Sequence, residues 1–224
     1  GWRRRVFFVG GGRVWQPRKD EPAREQDGRA RIGAMQLLWK CPVADDRYVS
    51  ERAWEHATLA CCPFHPEGGC GLEKLGSYGR VTPEGIRVPR WWCPAQGVSV
   101  SLLPSFLSAR LSGTLAEIEE VVATVEDAGS IAAAVDRVHP PDAADAIGLA
   151  GAVRRIRRRV AAVRASLRAI VTLMPERFAG MRPTLAGFRA VLVRDQVLVT
   201  VRELAERHLG ALPVPLGFRT RASR

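Results

Sequence analysis

The stretch Cys62–Leu107, CPFHPEGGCGLEKLGSYGRVTPEGIRVPRWWCPAQGVSVSLLPSFL, decides how this 224-residue chain is read. Two Cys-Pro turns, Cys62-Pro63-Phe64-His65 and Cys93-Pro94-Ala95-Gln96, bracket two short β-like runs. These runs are Tyr78-Gly79-Arg80-Val81 and Ile86-Arg87-Val88, and Thr82-Pro83-Glu84-Gly85 between them is a turn signal. Pro89 cannot donate to a ladder, so the second run reads as an edge or kinked strand. Val98-Ser99-Val100-Ser101 alternates and reads as a third strand. The order loop, hairpin, loop, with soft side chains at both turns, is that of a zinc ribbon. Of Trp91 and Trp92, one is expected against the metal site and the other against the helical part. Stacking on nucleic-acid bases is the sharper alternative.

A structural zinc takes four Cys or His ligands. Cys62, His65 and Cys93 supply three of a ribbon's positions. The fourth, three residues after Cys93, is Gln96, a poor zinc ligand. Cys70 is the natural replacement, because it lies in a Gly-rich loop able to fold back, and Cys61 is the second choice. The expected cofactor is therefore a structural zinc on Cys62, His65, Cys70 and Cys93. A ribbon without its metal is the plain alternative. A catalytic zinc, with an open position and Glu67 or Glu73 as base, is the third reading. Five cysteines, three of them crowded together, fit metal ligation in a reducing compartment better than a disulfide framework. The localisation expected is cytoplasmic, and nucleoid-associated if the protein binds DNA. No stretch is long and apolar enough for a membrane span.

Outward from the ribbon the chain changes character. Residues 1–34 mix Arg3-Arg4-Arg5, Gly10-Gly11-Gly12 and a polar run without sustained periodicity. They read as a non-native extension or a disordered arm, with Met35 as the expected natural start. Residues 35–60 form a lead-in with one short helix near Ser50 to Leu59, capped by Ser50, with Trp54, Ala57 and Thr58 on one face. His56 reads as a surface or packed histidine.

The ribbon proper is bounded at 61–111. Residues 112–175 then read as a helix-turn-helix-like three-helix unit. Thr114-Leu115-Ala116-Glu117 is a capping box, and Leu115, Ile118, Val122 and Val125 recur at helical spacing. Ala128-Gly129 ends that helix and Ser130 caps the next, through Val138. The third helix spans about 147–174. Its residues Leu149, Val153, Ile156, Val160, Val163, Leu167, Ile170 and Met174 form a heptad seam. Its first half carries Arg154, Arg155, Arg157, Arg158 and Arg159, followed by Arg164 and Arg168. Residues 176–224 read as C-terminal helices and a tail. Thr184 caps the first helix, a strand over Val191 to Val201 is the alternative there, and the tail from Pro213 onward is expected to be mobile at its end. The fold class expected is mainly α with a small β zinc ribbon.

The net charge is +11, unevenly spread. Residues 113–146 carry −7, and residues 147–224 carry +12. A basic helical surface points to a polyanion, and nucleic acid is the commonest.

Tyr78-Gly79-Arg80, Val88-Pro89-Arg90-Trp91-Trp92-Cys93-Pro94 and Ser101-Leu102-Leu103-Pro104-Ser105-Phe106-Leu107 together resemble a zinc-ribbon domain. That domain occurs in bacterial insertion-sequence transposases and related short proteins, often followed by a helix-turn-helix. The resemblance covers roughly residues 60 to 160. His65 stands where that family usually has Cys, and Gln96 where it has its fourth ligand. The resemblance implies DNA binding linked to a mobile element, as a targeting, accessory or remnant protein.

Catalysis is not expected. Phosphoryl transfer of the transposase kind needs several carboxylates on a mixed sheet. Only Glu176, Asp195, Glu203 and Glu206 follow the helical unit, in helical context. No P-loop, Ser/His/Asp arrangement or small-molecule site stands out. On this reading Arg80, Arg87 and Arg90 contact phosphates from the hairpin. Arg154, Arg155, Arg157 and Arg158 serve the groove or its backbone. The alternative is an interaction module that dimerises, or binds a transposase subunit, through the heptad helix 147–174.

Overall fold

The computed structural model describes residues 33–43, 45–138 and 146–218, which belong to one compact unit, Ile32–Arg224. Apart from Gly33 and Ala34, the stretch 1–34 lies outside the described residues, and so does Ala44. Four strands form one mixed sheet: β1 (Gly33–Trp39), β2 (Glu73–Gly79), β3 (Arg87–Cys93) and β4 (Val98–Pro104), in the order β1-β4-β3-β2. The helices are α1 (Ala53–His56), α2 (Leu115–Ala128), α3 (Ile131–Val138), α4 (Ala146–Leu173), α5 (Pro175–Phe178), α6 (Leu185–Leu192) and α7 (Val197–Leu204). A 3-10 turn, Glu206–His208, follows.

This corrects the expected fold class. The architecture is mixed α/β, and the ribbon strands are part of a larger sheet. The sequence reading places only a helix in 35–60, yet Met35 lies within β1, which pairs parallel to β4 from Gly33↔Val98 to Trp39↔Pro104. Parallel pairing joins segments remote in sequence, so no local turn announces it. The helix near Ser50 is also corrected. It is a four-residue turn whose N-cap is Arg52 in the left-handed region (φ 49°), while the Ser50 hydroxyl donates to the Arg47 carbonyl. The chain becomes extended at Ala57, so Trp54 and Ala57 are buried but Thr58 is exposed.

The hairpin forms around 80–86 as its turn signal predicts, with β2 antiparallel to β3. However, β3 is not an edge: it pairs with β2 on one side and β4 on the other. Pro89 is accommodated because the β3–β4 register begins at Arg90↔Ser101, one residue beyond it.

Alternation gives the sheet two faces. Val88 and Leu103 join the large core with the helices, whereas Trp91, Val100 and Leu102 join Ala57 in a second cluster on the other face. Trp92, one residue on from Trp91, is half-buried.

The helical signals from 114 onward hold. The Thr114 hydroxyl accepts from Glu117 N–H at 3.1 Å, and the Glu117 carboxylate accepts from Thr114 N–H at 2.9 Å. Gly129 closes α2 in the left-handed region (φ 70°), which glycine enters without a Cβ clash. The Ser130 hydroxyl then accepts from Ala133 N–H. The α4 stripe from Ile156 to Met174 lies in the chain's own core; the side chain of Leu149 lies outside the described residues. Thr184 caps α6, and Val197–Leu204 is helix, so the strand alternative falls away. The end of the chain is docked as far as Phe218, with Leu216 and Phe218 buried and Ser166 Oγ donating to the Pro213 and Val214 carbonyls. The end of that tail, residues 219–224, for which mobility is expected, lies outside the described residues.

Two glutamates of α2, seven residues apart and so on one helix face, organise the C-terminal part. Glu119, 4% exposed, accepts from Val197 N–H and Leu198 N–H at 3.1 and 2.9 Å, and from Arg189 at 3.0 Å. Glu126 accepts from Leu185 N–H and Ala186 N–H at 3.1 and 3.2 Å. Each carboxylate satisfies the free amides at a helix start, where the positive end of the helix dipole favours it. Glu119→Ala should destabilise the fold by about 2–3 kcal/mol in urea denaturation, because it leaves buried donors unpaired. Glu126→Ala, at a more exposed helix start, should cost about 1 kcal/mol.

Candidate metal centre

The centre is built from two turns and one loop on the Trp91 face of the sheet. In the first turn His65 N–H bonds back to Cys62 O at 3.1 Å. In the second, Gly97 N–H bonds to Pro94 O at 3.2 Å, directly after Cys93 ends β3. Cys70 reaches the same place because Gly68, Gly69 and Gly71 all take positive φ (86°, 78° and 67°) and fold the loop back. The four donor atoms of Cys62, His65, Cys70 and Cys93 lie within 4.8 Å of one another. The three thiols are buried, and Phe64 and Leu72 pack against them. These same two side chains also pack on the Trp91 cluster, which ties the centre to the sheet.

The spacing can be tested against a metal. Tetrahedral zinc with Zn–S of about 2.3 Å and Zn–N of about 2.0–2.1 Å places sulfur and nitrogen about 3.5–3.6 Å apart. His65 Nδ1 stands 3.6 Å from Cys62 Sγ and 3.5 Å from Cys93 Sγ. Three thiols and one imidazole at this spacing are a donor set that can hold a metal ion.

The electrostatics are uneven. Burial pushes the Cys62 thiol up, but the bond with His65, the backbone contacts of Phe64 and His65, and Cys93 outweigh it and bring it to about 7. Burial holds Cys93 up at about 11; the Gln96 backbone opposes this, and Cys62 and Cys70 add to it. Gln96, the residue at the fourth ribbon position, is exposed.

Cys61 is exposed and Cys41 half-buried, and neither belongs to the cluster. Four converging donors match the number of ligands that a structural zinc takes. Glu67 and Glu73 are both exposed.

The arginines singled out by the sequence are not brought together with the centre into one surface feature. Arg80 is held inside the fold: its guanidinium donates to the carbonyls of Ser108 and Leu111, both at 3.0 Å, and to that of Thr82 at 3.4 Å. Arg87 is exposed and grips Ser77, through Oγ and O, both at 2.9 Å. Arg90 is half-buried with its guanidinium 5.9 Å from the Tyr78 ring centre. Arg154, Arg155, Arg157 and Arg158 are exposed on α4, as are Arg164 and Arg168.

Cys70→Ser should abolish stoichiometric metal uptake by the purified chain, measured by elemental analysis after gel filtration. Cys61→Ser and Gln96→Ala should both retain one metal ion per chain. Loss of metal in Gln96→Ala with retention in Cys70→Ser would reverse the assignment of the fourth ligand. No protein-family model, no curated protein and no solved structure matches this chain.

Proposed function

We propose that this chain is a non-catalytic DNA-binding protein with a structural zinc at Cys62, His65, Cys70 and Cys93. The observation that carries the reading is the exposed arginine face of α4. Among the described residues no ion pair reaches Arg154, Arg155, Arg157, Arg158, Arg164 or Arg168. Unpaired guanidiniums held on a rigid helix are fitted to phosphate oxygens, which they meet with a planar fork of donors. The net charge of +11 acts in the same direction at longer range.

Zinc suits the donor set because borderline-soft thiolates and an imidazole prefer it to hard cations. Its role is to clamp two turns and the Gly-rich loop under the sheet, which keeps the hairpin end of the molecule rigid. The ribbon's resemblance to insertion-sequence transposases supports a link to a mobile element, as an accessory, targeting or remnant protein. A lipid surface fits less well, since the apolar side of α4 is buried in the core and has nothing to insert. The same burial engages the seam from Ile156 to Met174 within the chain, which favours DNA binding over self-pairing.

Fluorescence anisotropy with a labelled random duplex across a salt series tests the reading. If about five phosphates are neutralised, log K should fall with log salt at a slope of about −4.5. Arg154→Ala with Arg158→Ala should flatten the slope by about 2 units, since each lost phosphate contact removes about 0.9. Absence of binding by the folded parent at low salt would falsify the proposal.

A further inference from the structure

Helix α4 contains seven arginines and no acidic residue in its 28 positions. At about 100° per residue, Arg154, Arg157, Arg158, Ala161, Arg164, Ala165 and Arg168 fall within a sector about 120° wide. All seven are exposed. Ile156, Val160, Val163, Leu167 and Ile170 occupy the opposite side and are buried. Arg155 lies outside this sector. So does Arg159, whose guanidinium is already engaged by the Ser112 carbonyl at 3.1 Å.

The charges within the sector are not continuous. Arg154, Arg157 and Arg158 form one group, and Arg164 and Arg168 a second. Their centres lie about ten residues apart, or about 15 Å along the axis at 1.5 Å per residue. Between the groups the exposed face carries Ala161, and Ala165 sits beside it within the second group. Methyl side chains at these positions let the helix backbone approach a surface closely, while the long arginines reach past it on either side.

Resting on the DNA-binding reading above, we infer that α4 straddles the major groove of a DNA duplex. One arginine group rests on each of the two phosphate strands, and Ala161 lies over the groove. The separation of the groups suits a groove about 12 Å wide, given the reach of the side chains, and exceeds the minor groove of about 6 Å. The occupant is B-form duplex DNA, because a single strand offers one row of phosphates. The A-form major groove of RNA is too narrow to be spanned in this way. The contacts go to the backbone and therefore set orientation and affinity without reading bases. Arg164 and Arg168 join the binding set, and Arg155 is peripheral to it.

The test compares salt slopes for the parent, Arg154→Ala/Arg158→Ala, Arg164→Ala/Arg168→Ala and Arg155→Ala on one 20-bp DNA duplex, its single strand and the matching RNA duplex. Alanine favours helix, and circular dichroism checks that each variant is folded. Both double variants should flatten the duplex slope by about 2 units, and Arg155→Ala by well under one. The parent should bind the single strand at least tenfold more weakly than the duplex, and the RNA duplex no better than the single strand. If Arg164→Ala/Arg168→Ala keeps the parental slope while Arg154→Ala/Arg158→Ala flattens it, only one group touches DNA and the straddling geometry is wrong. Equal parental affinity for DNA duplex and either competitor overturns it as well. A parent that binds no DNA at all would instead remove the functional reading beneath it.

Discussion

The structure depends on how one loop, Ser105–Ser112, is held between the sheet and the helices. The loop leaves β4 and enters α2, and its backbone carbonyls point into the protein. Three arginines from three elements collect them. Arg202 of α7 donates to Ser105 and Leu107, Arg80 beyond β2 to Ser108 and Leu111, and Arg159 of α4 to Ser112. A buried carbonyl without a donor is costly, and a guanidinium carries five N–H groups in a fixed fork, so few side chains serve as well. Leu107 and Leu111 can then be buried together with the polar backbone of their own loop. Arg202 shows what this requires. It is fully buried and makes no ion pair among the described residues; burial first, then the nearby Arg80 charge, bring it down to about 9, against an opposing pull from Glu203. Its Nε and Nη2 have no hydrogen-bond partner among the described residues, and its guanidinium lies 5.0 Å from the Phe218 ring centre. The cation–π contact offsets part of the desolvation and explains why the chain end is docked as far as Phe218.

The same economy of charge separates acid from base across the molecule. The segment 113–146 is acidic and precedes the strongly basic α4, which would suggest mutual neutralisation. The structure directs three of those carboxylates elsewhere. Glu117 closes the start of its own helix, while Glu119 and Glu126 close the starts of α7 and α6. Carboxylates engaged by these backbone amides make no ion pair with α4. Among the described residues no ion pair reaches the exposed arginines of α4, which supports the reading of the protein as a partner of DNA.

The candidate metal centre and the arginine face are separate devices. The centre lies under the second face of the sheet, among Phe64, Leu72 and the Trp91 cluster, whereas α4 packs into the core on the first face. One strand spans both: β3 carries Cys93 at its end and Val88 in the helical core. On the proposed reading, a metal at the centre acts on stability and α4 on binding, which makes the two properties separable by mutation.

The local signals of this fold were legible in the sequence because their partners lie within a few residues. The capping box at Thr114, the left-handed Gly129, the Thr184 cap and the apolar stripe of α4 each need only neighbouring chain. The metal-ligand set was legible for a related reason: thiols and an imidazole at two Cys-Pro turns and a Gly-rich loop have little else to do together. What the sequence left open was everything joined at long range. The parallel pairing of β1 with β4, the interior place of β3, the capping of α6 and α7 by α2, and the turn of Arg80 inward to Ser108 and Leu111 all follow from packing. An arginine looks the same in the sequence whether its fork meets solvent, a phosphate or a buried carbonyl. Only the tertiary structure decides which, because only there is it settled which backbone groups have lost their water.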